Sequence, residues 1–285
     1  MKRIGLICVA LIAALALCGC GLTQVSRYDG AERYTAGGAA VSQNVNSLHI
    51  NWIDGQVVIA YHDQNTVLIE ETSRRALNRT EQVHWLAENG TLSIQYAQSG
   101  ASIAADLNKT LTVTLPRGTV LRQADLNSVS GGIEAPALCA DTIHLATISG
   151  GVFMSGAADQ LGVSTISGGI RLETAASTVE VDTTSGSVSV TMENGKSLRI
   201  NTVSGGVNLR TGDIESVRVN TISGGVLAHL PRDKGFTAKV STVSGTVKTG
   251  QDIRKNGDQY LLGDGRIKVD ISTVSGSIML EEYRQ

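Results

Sequence analysis

One phrase, Thr-φ-Ser-Gly-Gly-φ with φ either Val or Ile, recurs eight times and decides what this chain can become. It opens as Ser128-Val129-Ser130-Gly131-Gly132-Ile133 and returns, with small variations, at 147–152, 165–170, 183–188, 202–207, 221–226, 242–247 and 273–278. Its central serines are Ser130, Ser149, Ser167, Ser185, Ser204, Ser223, Ser244 and Ser275, at steps of 19, 18, 18, 19, 19, 21 and 31 residues. Self-similarity at a near-constant period of this length marks a repeat architecture, in which each unit buries its apolar face by stacking on a neighbour. With 32 Gly, 3 Pro and only 4% aromatics, the chain suits a narrow core of Val, Ile, Leu, Thr and Ala.

Parity within the repeat defines its strands. Leu161, Val163 and Thr165 alternate on odd numbers, and Ile166, Ile170 and Leu172 follow on even ones. Strand side chains alternate faces with period two, so the switch requires a bend or bulge. We place it between Thr and φ, with both turned inward and Ser-Gly-Gly taking the turn. At roughly 3.3 Å per residue the period gives about 60 Å of path, enough for one narrow β-helix coil. The expected fold is therefore all-β, a β-solenoid of 18–19-residue repeats, with a sandwich of hairpins as the alternative. Stacked coils would line up the Thr column in an internal ladder able to hydrogen-bond along the stack. The long last interval predicts a protruding loop or hairpin at 251–264. The polar end Glu281-Glu282-Tyr283-Arg284-Gln285 would discourage end-to-end stacking.

Residues 41–118 are β-rich without the repeat and read as an N-terminal cap. Asp54-Gly55 and Asn89-Gly90, each between alternating apolar runs, predict two hairpins. The solenoid proper is assigned to 119–285. Cys139, near Ala135, Ala137 and Leu138, reads as a buried small residue.

The N-terminus carries Lys2 and Arg3, then an apolar stretch from Ile4 to Leu17, too short for a comfortable transmembrane helix. Leu17-Cys18-Gly19-Cys20 resembles the lipobox of bacterial lipoproteins. The resemblance implies a signal peptide over 1–19, diacylglycerol on Cys20, a tether over 20–40 and anchorage to the cell envelope. Gly21 instead of Asp favours the outer membrane in a two-membrane organism.

The Val113-Thr114-Leu115-Pro116 run followed by the repeated Thr-Val-Ser-Gly-Gly-Val is similar to the bacterial putative-adhesin family of β-strand-repeat proteins, over roughly residues 45 to 282. That family also resembles the heads of auto-transporter adhesins. The resemblance implies a β-solenoid in the envelope and brings neither a catalytic residue nor an established ligand.

Little in the sequence points to catalysis. The residues just before each Thr, namely Asn127, Ala146, Ser164, Asp182, Asn201, Asn220, Ser241 and Ser272, form a polar column with one acid. Glu180 and Asp182 make a lone acidic pair, and the five histidines lack ligand spacing. Eight copies of the Ser-Gly turn cannot all be nucleophiles, and no cofactor is implied. The formal charge of −2, without a basic run, argues against nucleic-acid binding. Arg199, Arg218 and Lys239, on three successive repeats, would stand about 4.8 Å apart as a candidate stripe for an anionic glycan or lipid head group. The expectation is a non-enzymatic, lipid-anchored envelope protein serving adhesion, scaffolding or interaction, with a glycan or an envelope protein as partner. A carbohydrate-active enzyme and an envelope assembly or signalling partner are the alternatives.

Overall fold

The computed structural model describes residues 22–104 and 107–284, and their regular structure is almost wholly β-strand. The described residues fall in two compact units, one ending at Gly150 and one beginning at Gly151.

In the first unit Ser47–Trp52 pairs in parallel with Thr91–Gln95 on one side and Leu121–Ser128 on the other. Val57–His62 pairs in parallel with Thr110–Pro116 and with the start of Ile133–Thr147. Asp54-Gly55 therefore makes no hairpin. It is a coil corner that carries the chain from one sheet to the other. An Asp-Gly dipeptide reports a tight turn, and the choice of partner strand is made elsewhere. The second expected hairpin is present: His84–Glu88 runs antiparallel to Thr91–Gln95, with Asn89 at φ 52° and Gly90 at φ 76°. Two successive positive φ values are what a two-residue hairpin turn needs.

The second unit is a stack of parallel rungs in strict register. Thr165 lies opposite Thr183, Thr183 opposite Thr202, and Thr202 opposite Thr221. The order then departs from the sequence. Val207–Ser223 pairs with Ile267–Ser275, and Ile267–Ser275 pairs in turn with Phe236–Ser244. The companion strands agree: Ile278–Tyr283 lies between Val226–Pro231 and Val247–Thr249. The eighth repeat is thus interleaved between the sixth and seventh. The long interval before it supplies the chain needed to return by one rung. The hairpin expected there is present, Arg254–Asn256 with Gln259–Leu262, but it does not protrude: it is laid antiparallel on Phe236–Lys239. It satisfies backbone groups that would otherwise form an open sheet edge. The polar C-terminal strand is internal to the stack, so it does not cap it.

Burial corrects the parity assignment. Thr147, Thr165, Thr183, Thr202, Thr221 and Thr273 are buried, as expected. The φ residues after them point outward: Ile166, Val203, Ile222 and Val274 are 39–53% exposed and Val243 is 84% exposed. Alternation continues through Thr-φ, and the switch falls within Ser-Gly-Gly. The Thr hydroxyls form no mutual ladder. Those of Thr165, Thr183, Thr202, Thr221 and Thr273 are buried without a protein hydrogen-bond partner. Where bonds form, they go to glycine backbone: Thr147 Oγ1 donates to the Gly131 carbonyl (3.2 Å) and accepts from Gly150 N–H (3.0 Å).

The first glycine of each corner explains why the phrase repeats. A Cβ on Gly186, Gly205, Gly224, Gly276 or Gly245 would stand 2.0–2.1 Å from the preceding rung's glycine carbonyl oxygen. The corners stack backbone on backbone, and no side chain fits between them. Gly131 and Gly150 stack in the same way in the first unit, on Gly55 and Gly131.

Candidate functional site

The outer face of one sheet of the second unit collects the side chains that the repeat leaves free to vary. Its strands, in spatial order, are the 160–167 half of Val152–Ser167, then Thr178–Ser185, the 197–204 half of Val188–Ser204, the 216–223 half of Val207–Ser223, Ile267–Ser275 and Phe236–Ser244. Parallel register turns sequence columns into rows across these strands.

One row is a hydrogen-bonded ladder. Asn201 Nδ2 donates to Asp182 Oδ1 (2.9 Å), Asn220 Nδ2 to Asn201 Oδ1 (2.9 Å), and Ser272 Oγ to Asn220 Oδ1 (2.9 Å). This is the polar column read from the sequence, with its one acid tied in as an acceptor. The first unit shows the same device, Asn127 Nδ2 donating to Asn51 Oδ1 (3.2 Å). Two residues further along each strand the exposed φ residues form a parallel row, apolar except at Thr184.

The charged row reads Glu180, Arg199, Arg218, Asp270, Lys239. Arg199 and Arg218 lie on adjacent rungs, as the sequence predicts. Lys239 does not follow them, because the interleaved strand places Asp270 between Arg218 and Lys239. Asp270 Oδ2 is 3.6 Å from Arg218 Nε. The structure adds Lys268, opposite Ser216 and Thr237, which no sequence pattern singled out. Arg199, Arg218, Asp270, Lys239 and Lys268 line a groove of about 570 Å³, with Ser197, Ser216 and Thr237 along it and Gln259 and Gly265 of the long insertion at its rim. Thr237 Oγ1 donates to the Gly265 carbonyl (3.2 Å) and fixes that rim. Among the described residues, Arg199, Lys239 and Lys268 make no ion pair, and Arg218 makes only the long one to Asp270.

A second charged cluster was missed in the sequence. Lys109 is completely buried in the first unit. Its Nζ lies 2.7 Å from Glu71 Oε2 and donates to the Glu81 and Tyr96 carbonyls, both at 2.6 Å. The ammonium also faces the Trp52 and Tyr96 rings, at 5.0 and 4.3 Å. Burial pushes the Lys109 pKa down, and Glu71 opposes that shift. A buried charge is tolerated only when paired and hydrogen-bonded. Lys109 meets both conditions, so it serves as a plug among aromatics and has no route to a substrate. Lys109 falls just before the Thr110–Pro116 strand, and nothing in its neighbours announces burial.

Glu180 shares a strand face with Asp182, and no metal-competent group of three or more His, Cys, Asp or Glu occurs among the described residues. Cys139 is unpaired and half-buried, less enclosed than expected. Cys20 and the 1–19 segment lie outside the described residues.

This geometry, glycine corners stacked beneath a flat parallel face, defines a β-solenoid-like repeat protein. The chain belongs to the Toastrack DUF4097 family, whose model matches residues 45–281. Among solved structures, a putative adhesin from Parabacteroides distasonis is similar at 16% identity, with a TM-score of 0.51 over 90% of this chain and 99% of that one. Its fold is the one described above. A putative lipid binding protein from the same species (16% identity, TM-score 0.49) is covered over 91% of this chain and 100% of that one. A putative adhesin from Bacteroides fragilis (11% identity, TM-score 0.48) is covered over 88% and 98%. No curated protein matches the chain.

Proposed function

We propose that the protein is a non-catalytic, adhesin-like binding protein of the bacterial cell envelope, exported and anchored by lipid on Cys20. The observation that carries this reading is the second unit's outer face: six strands in register, an amide ladder and a cationic groove, on a scaffold fixed by glycine corners. Such a surface is rigid and built for contact, since its variable residues point outward and its invariant ones hold the stack. Relatives in fold described as putative adhesins support the same reading. The lipobox Leu17-Cys18-Gly19-Cys20 supports export and anchorage, with the outer membrane as destination where there are two.

The test compares bacteria expressing the full chain with a Cys20→Ala variant. Wild-type protein should incorporate labelled palmitate, fractionate with the envelope and increase retention of cells on at least one of a panel of cell and matrix surfaces. The variant should lose the label and the envelope association. Unlabelled, soluble wild-type protein would end the anchoring claim, and expression without any gain in retention would end the adhesin-like one.

A further inference from the structure

We propose that the groove of the second unit seats an acidic polysaccharide, whose carboxylate or sulfate groups are held by Arg199, Arg218, Lys268 and Lys239. This rests on the adhesin-like reading and narrows it to a ligand class.

Arg199 and Arg218 stand directly opposite each other on neighbouring strands. Like charges in that position destabilise a sheet. The fold flanks the pair with acids, Glu180 on the outer side of Arg199 and Asp270 between Arg218 and Lys239, yet Arg199 makes no ion pair and no acid stands between the two guanidiniums. An anion lying across the two guanidiniums would screen their mutual repulsion where neither flanking acid reaches, and guanidinium is well matched to carboxylate and sulfate oxygens. Lys268 and Lys239 extend the set, so the groove holds four cations against one acid. From Arg199 to Lys239 there are three strand spacings, about 14 Å in all, which makes the positive charge linear.

The shape and lining favour a sugar polymer over other polyanions. The groove is concave, and Ser197, Ser216 and Thr237 lie in a row with Lys268 beside the Arg199–Lys239 row, with Gln259 at the rim, offering partners for sugar hydroxyls next to the charged groups. No aromatic side chain lines it, whereas single-stranded nucleic acid is bound by stacking its bases on aromatics. A bilayer surface is engaged through basic residues spread over a plane, or a polybasic segment. Here the cations lie along one channel of a chain that is acidic overall.

The experiment measures binding of the purified full chain to polygalacturonate, to its fully methyl-esterified neutral form, and to vesicles of anionic phospholipid. Wild-type protein should bind polygalacturonate, with affinity falling as salt rises, and should ignore the ester. The variant Arg199→Gln/Arg218→Gln/Lys268→Gln should lose about tenfold or more in affinity through loss of charge-assisted contacts. A charge-matched control, Arg171→Gln/Arg210→Gln/Lys248→Gln, changes cations outside the groove and should stay within about twofold. Neither variant should melt below wild type, since the replaced groups are exposed and the groove variant removes a like-charge pair. Equal losses in the two variants, equal binding of the ester, binding to vesicles alone, or no binding would each overturn the inference. Cells that adhere through a chain indifferent to polygalacturonate would leave the adhesin-like reading standing and remove this one. Polysaccharide binding without adherence would do the reverse.

Discussion

The two glycines of a corner look interchangeable in the sequence, and the stack separates them sharply. Gly205 has φ 146°, and a Cβ there would lie 2.0 Å from the Gly186 carbonyl oxygen. For Gly206 the nearest such atom, the Gly225 carbonyl oxygen, is 3.9 Å away. Gly205→Ala must push one rung off the next, and should cost about 1–3 kcal/mol, the usual range for overpacking. Gly206→Ala has room and should cost well under that. Denaturant unfolding of the two variants side by side checks the distinction, and equal effects would refute the stacked-corner account. The same scale explains the Thr-φ error. A parity switch somewhere in Thr-φ-Ser-Gly-Gly-φ is legible, but a break after Thr and a break at Ser-Gly-Gly leave the flanking strands with the same pattern. Only the exposure of Val203 and Ile222 decides between them.

Strand order is the property of the elements that the sequence concealed. The seventh and eighth repeats both read Thr-Val-Ser-Gly, and either could stack on the sixth with its Thr and Ser in register. Charge separates the two orders. With the eighth repeat inside, the row reads Arg199, Arg218, Asp270, Lys239; in sequence order it would put three cations side by side. Asp270→Lys should therefore destabilise the second unit by about 1–2 kcal/mol, as its two cross-strand pairs, with Arg218 and Lys239, turn from attractive to repulsive. High salt should recover part of the loss. Thermal melts of Asp270→Lys and Asp270→Asn at low and high salt test this, and a loss independent of salt would place the cause elsewhere. The insertion contributes too, since the Gln259–Leu262 strand needs Phe236–Lys239 free at the sheet edge.

For the molecule as a whole, stability should form a plateau against pH, with limits set by groups in the first unit. Arg75 holds the Glu81 carboxylate down to about 2, below its ordinary 4.5. A depressed carboxylate contributes stability that is present above pH 4.5 and lost as pH falls toward 2. Burial raises Tyr28 and Tyr61 to about 12 from 10.0. Their contribution is complete below pH 10 and lost as pH climbs through 12. Lys109, shifted down by burial, acts in the opposite sense just below 10.5, where the unfolded chain binds the proton more tightly. Chemical denaturation across the pH range should show Glu81→Gln converging on wild type as pH falls from 4.5 to 2. A constant gap between them would contradict the Arg75 pairing.

The repeat, its period, the buried Thr column, the polar column that became the amide ladder and the all-β solenoid class are all legible in the order of residues. These follow from side-chain alternation along one strand and from recurrence at a fixed interval. The sequence also supplied Arg199, Arg218 and Lys239 as candidates. Strand pairing, by contrast, is what makes Asp54-Gly55 a coil corner, parts Arg218 from Lys239 with Asp270, brings Lys268 into the groove and seals Lys109 beneath Trp52 and Tyr96. Each of these depends on which strand lies beside which. Near-identical repeats offer several partners of almost equal local quality, so the choice rests on charge, edge coverage and burial summed over residues far apart in the chain.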